Sequence, residues 1–339
     1  MKEAMFYEKL DGMKVHCGLC HFRCVIADGK RGICGVRENR EGTLFTLVYG
    51  KAVAENVDPI EKKPLFHFLP GSRSYSVATV GCNFRCLHCQ NYSISQSVWE
   101  GGHVSGFELP PAEIVRKAIA SGCSSISYTY TEPTIFYEYA YDTAVLARKA
   151  GLKNIFVTNG YITSEALLHI SPYLDAANID LKGFSDKFYR EVVHATLGKV
   201  LDSIIEYKHL GIWIELTTLI IPNHNDSEED LRGIARFIAD KVGVETPWHV
   251  SQFYPTYRLT DQPRTPVATL RRARQIGLDA GLRYVYEGNV PGEGGENTFC
   301  PGCGELLIRR HGFYIQENRI RAGKCPSCTT VMDGVEMSS

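Results

Sequence analysis

The sequence lacks any run of about 18 apolar residues, the length that a bilayer-spanning helix requires, so no transmembrane helix is expected. Its first residues, MKEAMFYEKLDGMK, contain no apolar stretch long enough for a signal peptide. An excess of charge of one sign is also missing, because 37 Lys and Arg residues stand against 38 Asp and Glu residues. The net charge of −1 excludes a global field that attracts nucleic acid or membrane, and a cytoplasmic protein is expected.

Disordered and low-complexity composition is absent as well. Hydrophobic residues make up 44% of the chain and charged residues 22%, which is ordinary for globular proteins. At roughly 150 residues per domain, the 339 residues predict about two domains.

Cysteine, by contrast, is abundant for a chain expected in a reducing compartment. Eleven of the 12 cysteines fall into three tight groups, within residues 17–34, 82–89 and 300–328, and only Cys123 stands alone. A long chain without an export signal does not suit a disulfide framework, so metal ligation is the better interpretation. We expect Cys123 to be a small buried hydrophobic residue.

Short β-branched runs alternate with helical segments from about residue 75 to residue 290. The predicted strands are Tyr75–Val80, Ser124–Tyr130, Asn154–Thr158, Ala177–Leu181, Trp213–Ile221, His249–Tyr254 and Tyr284–Tyr286. The predicted helices are Pro111–Ser121, Phe136–Ala150, Ser164–Tyr173, Lys187–Leu210 and Ser227–Lys241. This alternation predicts an α/β fold with a parallel sheet, of the partial (β/α)6-type TIM-barrel class.

The central cysteine group follows the first of these strands with the spacing C-x3-C-x2-C, formed by Cys82, Cys86 and Cys89. A structural zinc site needs four protein ligands, and no fourth cysteine lies nearby. Three thiolates on one loop can instead hold three corners of a [4Fe-4S] cluster and leave one iron open. An incomplete zinc site or three unrelated thiols is the alternative.

This spacing, read with Gly81, Phe84, Gln90 and Asn91, resembles the radical S-adenosylmethionine (SAM) superfamily. The chain looks most like the branch of pyruvate formate-lyase-activating enzyme and the radical SAM family of the AmmeMemoRadiSam system. The resemblance implies that SAM chelates the open iron and is cleaved reductively to methionine and a 5′-deoxyadenosyl radical, which abstracts hydrogen from a substrate. It also implies a low-potential electron donor such as ferredoxin or flavodoxin, and association with Memo-like and AMMECR-like proteins.

The resemblance also implies a set of SAM-binding residues at the ends of the predicted strands. Glu132 matches the family's contact to the SAM amino group, and Asn159 matches its contact to the ribose. Asp180 and Lys182 match an Asp-x-Lys motif whose Lys contacts the SAM carboxylate, and His224 matches a residue lining the pocket.

Each of these residues also has an ordinary interpretation. Glu132 would then be a surface carboxylate, and Asn159 would belong to an ordinary Asn-Gly turn. Asp180 and Lys182 would form an ion pair at the end of a strand, and His224 would be a histidine in a turn. The sequence also departs from the family pattern at Tyr130 and Thr131, where small glycines are usual.

The last cysteines, Cys300, Cys303, Cys325 and Cys328, form two C-x2-C pairs around a predicted hairpin, as in a zinc ribbon. A second [4Fe-4S] cluster is the alternative there. Five basic residues lie between the pairs and suit either a solvated face or a surface for RNA or an acidic partner: Arg309, Arg310, Arg319, Arg321 and Lys324.

The first cysteines, Cys17, Cys20, Cys24 and Cys34, supply four ligands and predict a closed site, either zinc or an auxiliary iron–sulfur cluster. Zinc is favoured, because activating enzymes resembling this chain carry auxiliary clusters after the central cysteines. The predicted domains are an N-terminal four-cysteine module and connector at 1–70, a radical SAM partial barrel at 71–292 and a zinc ribbon at 293–339.

The main hypothesis is therefore a radical SAM enzyme of unidentified substrate. Within the enzyme class, it would activate a glycyl-radical enzyme or modify RNA or a small molecule. The alternatives outside that class are a zinc-ribbon adaptor for nucleic acid or protein, and an iron–sulfur carrier.

Overall fold

The computed structural model describes residues 1–338, which group into two compact units. The first unit contains Met1–Asp58 and Arg73–Ala176, and the second contains Pro59–Ser72 together with the chain from Ala177 onward. Within the described residues, no helix has both the length and the apolar character needed to cross a membrane.

The first unit is built from twelve strands and five α-helices. Its strands are β1 (Lys2–Glu3), β2 (Tyr7–Leu10), β3 (Lys14–Cys17), β4 (Val25–Ile26), β5 (Arg37–Arg40), β6 (Thr43–Thr46), β7 (Lys51–Ala52), β8 (Ala54–Pro59), β9 (Arg73–Ala78), β10 (Phe107–Glu108), β11 (Ser125–Tyr128) and β12 (Lys153–Thr158). Its helices are α1 (Tyr92–Ser95), α2 (Ser97–Gly101), α3 (Pro111–Ala120), α4 (Tyr137–Lys149) and α5 (Ser164–Ile170).

Strands β9, β11 and β12 of the first unit are parallel neighbours, with β8 beside β9 at the edge. Helices α3 and α4 connect these strands in sequence. The side chains of Ile126, Tyr128 and Phe156 are buried almost completely, as expected where helices cover a parallel sheet. The N-terminal cysteines lie among two small antiparallel sheets, ordered β1-β6-β5 and β2-β3-β4.

Up to residue 338, the second unit contains seven strands and four α-helices. Its strands are β13 (Ala176–Asp180), β14 (Trp213–Ile220), β15 (Trp248–Gln252), β16 (Val285–Gly288), β17 (Thr298–Phe299), β18 (Leu306–His311) and β19 (Tyr314–Asn318). Its helices are α6 (Asp186–Phe188), α7 (Leu197–His209), α8 (Glu228–Phe237) and α9 (Val267–Asp279).

Strands β13, β14, β15 and β16 lie side by side in that order, and β14, β15 and β16 pair in parallel. Strands β17, β18 and β19 form a separate antiparallel sheet near the C-terminal cysteines. Helix α8 begins after Ser227, whose hydroxyl accepts a hydrogen bond from the backbone N–H of Asp230 at 3.1 Å. Parallel strands alternate with helices in both units, so the predicted α/β class is confirmed.

One helix prediction, Lys187–Leu210, is wrong as a single element. The segment forms a π-helical turn at Tyr189–Val193, and His194 then adopts a left-handed conformation with φ 61°. The extended backbone of Thr196 starts α7 anew. Side-chain periodicity does not reveal a break of this kind, because apolar residues continue on both sides of it.

A buried carboxylate, Glu215, ties the first residues of β14 to the chain around Phe66. Its Oε1 accepts from the His67 N–H at 2.7 Å and the Trp213 indole at 3.2 Å. Its Oε2 accepts from the Phe66 N–H at 3.0 Å and lies 2.7 Å from His249 Nε2. Burial acts to raise the pKa of Glu215, but the hydrogen bond and charge of His249 outweigh it and the pKa is lowered.

Glu215→Gln is therefore expected to lower the free energy of unfolding by about 3 kcal/mol, because either orientation of the amide turns its NH2 group toward buried N–H donors. The matched change Glu228→Gln removes an exposed ion pair with Arg232 and should cost less than about 0.5 kcal/mol. Urea denaturation followed by circular dichroism measures both values. Equal stability of the two variants would contradict the role given to Glu215.

Candidate functional site

The loop that carries the central cysteines begins at the carboxyl end of β9. Gly81 introduces it with φ 95°, a left-handed value that side chains other than glycine rarely adopt. A Cβ atom at Gly81 would lie 2.8 Å from Val36 Cγ1 and 3.0 Å from the Cys34 carbonyl oxygen. Only glycine therefore lets the chain turn here and present Cys82.

Local hydrogen bonds hold two of the three thiols of this loop. Cys86 is buried, whereas Cys82 and Cys89 are partly exposed. The Phe84 N–H donates to Cys82 Sγ at 3.4 Å, and Cys89 Sγ lies 3.1 Å from Ser95 Oγ. Hydrogen bonds to sulfur are among the features by which proteins tune iron–sulfur clusters.

The electrostatics of the thiols also fit a cationic iron centre. Burial raises the pKa of Cys82 most, and the nearby carboxylate of Glu132 and the thiols of Cys86 and Cys89 raise it further. A thiol with a raised pKa ionises when a metal cation binds it. The donor set of three thiols therefore fits a [4Fe-4S] cluster.

Glu132 lies beside this loop and is buried, with 1% of its surface exposed. Its Oε1 accepts from the Thr134 N–H at 3.0 Å, the Thr134 hydroxyl at 2.6 Å and the Thr158 hydroxyl at 2.8 Å. Its Oε2 accepts from the Asn159 N–H at 2.8 Å. Since each carboxylate oxygen has two lone pairs, Oε2 keeps one for a further donor. The ordinary interpretation as a solvated surface carboxylate is thus wrong.

Burial raises the pKa of Glu132, while the four donors act in the opposite direction and favour the ionised form. The carboxylate is therefore held rigidly and away from water. Such a group binds a cation strongly because little solvent competes with it.

Asn159 directly follows strand β12 and links Glu132 to the cysteine loop. Its Nδ2 donates to Asn83 Oδ1 at 2.8 Å, and its Oδ1 accepts from the Tyr161 N–H at 3.0 Å. The buried Nδ2 of Asn83 has no hydrogen-bond partner among the described residues.

Sequence reasoning missed three of these polar residues: Asn83, Thr134 and Thr158. Asn83 carried a signal, because it stands inside the C-x3-C spacing. Thr134 stands two residues after Glu132, but the sequence does not show its hydrogen bonds to the carboxylate, and Thr158 reaches Glu132 only in the folded chain.

Tyr130, where the family pattern has glycine, adopts the conformation that glycine favours, with φ 63°. Its carbonyl oxygen accepts from Asn91 Nδ2 at 2.7 Å. Its hydroxyl contacts Asp58 and Asn56. Burial raises the pKa of Tyr130 to about 12. The departure from glycine is therefore accommodated by side-chain contacts that hold the turn.

Three further candidates lie in the second unit. Lys182 Nζ forms an ion pair with Asp180 Oδ2 at 2.8 Å, as residues on one face of an extended chain can. His224 lies in the turn after β14, and its N–H donates to the Ile221 carbonyl at 3.2 Å. Asn225 holds this turn through its side chain. These contacts are compatible with both the SAM-binding and the ordinary interpretations.

The C-terminal cysteines converge on one point. The four Sγ atoms of Cys300, Cys303, Cys325 and Cys328 lie within 4.8 Å of one another. Cys300 and Cys328 are 3.5 Å apart, and Cys303 and Cys325 are 3.7 Å apart. This is a metal-binding arrangement.

The predicted hairpin between the cysteine pairs is present as β18 and β19, but its basic residues do not form one exposed set. Arg310 is buried and contacts Glu61 at 3.8 Å and the Phe66 carbonyl at 3.0 Å. The expectation that Arg310 belongs to a basic face is wrong. The reason is that β18 turns this side chain toward the protein interior.

The N-terminal cysteines are also brought together. Cys17, Cys20, Cys24 and Cys34 line one cavity of the first unit. Cys17 and Cys34 are buried, and Cys20 and Cys24 are partly exposed.

Part of the chain matches the profile of a known protein family. The family profile described as the radical SAM superfamily matches residues 76–238, which include the cysteine loop, Glu132 and Asn159. The uncharacterized protein MJ0808 of Methanocaldococcus jannaschii is 51% identical over 98% of this chain and 99% of its own length. Pyruvate formate-lyase-activating enzyme of Clostridium pasteurianum is 24% identical over 64% of this chain and 93% of its own length.

Among solved structures, a radical SAM methyltransferase from Sphaerobacter thermophilus is similar in fold. It aligns with a TM-score of 0.51 and 16% identity, over 70% of this chain and 71% of its own. At that identity, the likeness concerns the fold alone.

The fold and the cysteine loop define an enzyme that uses an iron–sulfur cluster. The chain belongs to the radical SAM superfamily. Within it, the chain is similar to the activating enzymes. When bound, the cluster supplies the electron that cleaves SAM to a 5′-deoxyadenosyl radical.

Proposed function

We propose that Cys82, Cys86 and Cys89 hold the catalytic cluster and that Glu132 binds the amino group of SAM. The observation that carries this proposal is the buried Glu132 carboxylate, fixed by four donors beside Cys82, with a lone pair remaining on Oε2. An ammonium group is the natural partner for that lone pair.

Asn159 is proposed to contact the ribose hydroxyls of SAM. Its Oδ1 accepts one hydrogen bond, from the Tyr161 N–H, and so keeps a lone pair for a hydroxyl donor. For Asp180, Lys182 and His224, the proposal of SAM contacts rests on the family resemblance.

For the substrate, we propose a glycyl residue of a partner enzyme as the first candidate. The supporting observation is the similarity to pyruvate formate-lyase-activating enzyme over 93% of that protein's length. RNA modification is less favoured, because the buried Arg310 interrupts the basic residues of the hairpin. Memo-like and AMMECR-like proteins are proposed partners, and ferredoxin or flavodoxin the proposed electron donor.

Zinc is the proposed metal of the C-terminal cysteines. Four thiolates around one zinc ion, each at about 2.3 Å from it, lie about 3.8 Å apart in a tetrahedron. The distances of 3.5 and 3.7 Å between opposite cysteines suit that geometry. Clusters and thiolates of this kind persist in a reducing compartment, which supports the proposed cytoplasmic location.

The function is tested by anaerobic reconstitution with iron and sulfide, reduction with dithionite and chromatography of 5′-deoxyadenosine formed from SAM. We expect product only when dithionite and SAM are both present. A second reaction contains the Memo-like and AMMECR-like proteins, which should raise the yield if they complete the pocket. A reconstituted protein that holds zinc but no iron would reject the radical SAM function.

A further inference from the structure

A small cavity lies among the N-terminal cysteines Cys17, Cys20, Cys24 and Cys34. Its volume is about 10 Å³, room for about one water-sized sphere. The rest of its wall is mostly apolar, with Ile26 and Ile135 among the lining residues. Four sulfurs bound to one zinc ion would touch each other and leave no such space.

The spacing of the sulfurs separates this group from the C-terminal one. Among residues 1–338, the C-terminal cysteines are the only three or more cysteines whose Sγ atoms all lie within 4.8 Å of one another. The N-terminal sulfurs line a common cavity at wider separations. In a [4Fe-4S] cluster each cysteine binds a different iron, so the cysteine sulfurs are roughly 6 Å apart.

A buried cation also faces this cavity. Arg37 lines it with 2% of its side chain exposed, and its Nη1 pairs with Glu138 at 3.1 Å. The Nε of Arg37 is buried and has no hydrogen-bond partner among the described residues. A buried N–H donor without a partner is unfavourable, so we expect this atom to donate to an acceptor that binds in the cavity.

We propose that Cys17, Cys20, Cys24 and Cys34 bind a second [4Fe-4S] cluster, with Arg37 as its buried cationic neighbour. All four irons then have a protein ligand, so this cluster does not bind SAM. This proposal replaces the zinc that the sequence favours at these four cysteines. The spacing of cysteines along the sequence does not determine the distances between their sulfurs in the folded protein.

The second cluster would adjoin the catalytic loop. The Cys34 carbonyl oxygen lies 3.0 Å from the Cβ position of Gly81, the residue before Cys82. The aromatic ring of Phe22, which lies between Cys20 and Cys24, packs 6.5 Å from that of Phe84 in the catalytic loop. The N-terminal cysteine group and the catalytic loop therefore lie next to each other in the first unit.

Metal counting tests the proposal without reference to activity. The full-length triple variant Cys82→Ala, Cys86→Ala and Cys89→Ala removes the catalytic cluster and is reconstituted anaerobically with iron and sulfide. We expect it to retain about four irons and about four sulfides per chain, with one zinc, whereas the wild type holds about eight irons. Adding Cys20→Ala and Cys24→Ala should remove the remaining iron and leave the zinc.

Two zinc ions and no iron in the triple variant would overturn the proposal. Mössbauer spectra of the wild type provide a check if the variants fail to fold. Because SAM binds only the open iron of the catalytic cluster, its addition should change the spectrum of about one iron in eight. A change in about one iron in four would mean that the protein holds a single cluster, and the second cluster would not exist. Loss of SAM cleavage alone, with eight irons present, would reject the proposed function but not this cluster.

Discussion

Replacing Cys86 with Ala is expected to abolish 5′-deoxyadenosine formation. Each of the three loop thiols would hold a different iron, so two remaining thiolates leave the cluster without a corner. Cys86 is the buried member of the three, and water has little access to replace its sulfur. The measurement is product formed per chain from SAM and dithionite under anaerobic conditions.

Cys123→Ala is the matched control for this variant. Cys123 is also buried in the first unit, with 6% of its surface exposed, and it stands outside the three cysteine groups. The two changes remove the same side chain from similar surroundings, but only the loss at Cys86 touches a proposed iron ligand. Product from Cys86→Ala at the level of Cys123→Ala would contradict the assignment of the catalytic cysteines.

The parallel strands were predictable because burial on both faces selects β-branched and aromatic residues. The predicted Asn154–Thr158 and Trp213–Ile221 correspond to Lys153–Thr158 and Trp213–Ile220 in the structure. Helix boundaries with an explicit signal were equally accessible, as at Ser227. A break such as that at His194 was not, because it rests on one backbone conformation.

Some residues of the candidate site could be proposed from the sequence, but the contacts that join them could not. Glu132 and Asn159 were identified through motifs at the ends of strands. Nothing in the sequence indicates that Glu132 is buried, or that Thr134 and Thr158 supply its hydrogen bonds. These contacts join two segments, the turn after β11 and the end of β12, which the parallel pairing of β11 with β12 brings together.

The carboxylate of Glu132 has two separable roles in this arrangement. Oε1 accepts three hydrogen bonds and fixes the side chain, whereas Oε2 accepts one and is available to a ligand. Thr158→Val removes one donor to Oε1 and keeps the negative charge. We therefore use it to separate the positioning of the carboxylate from its direct contact with SAM.

Glu132→Gln is expected to raise the KM for SAM by roughly 10- to 150-fold, because a hydrogen bond to a charged group contributes about 1.5–3 kcal/mol. Thr158→Val should raise it by less than about 10-fold, and the exposed control Glu165→Gln should leave it unchanged. Since burial raises the pKa of Glu132, acidification protonates it and should weaken SAM binding in the wild type more than in Glu132→Gln. An unchanged KM in Glu132→Gln, at wild-type iron content, would rule out the proposed contact with the SAM amino group.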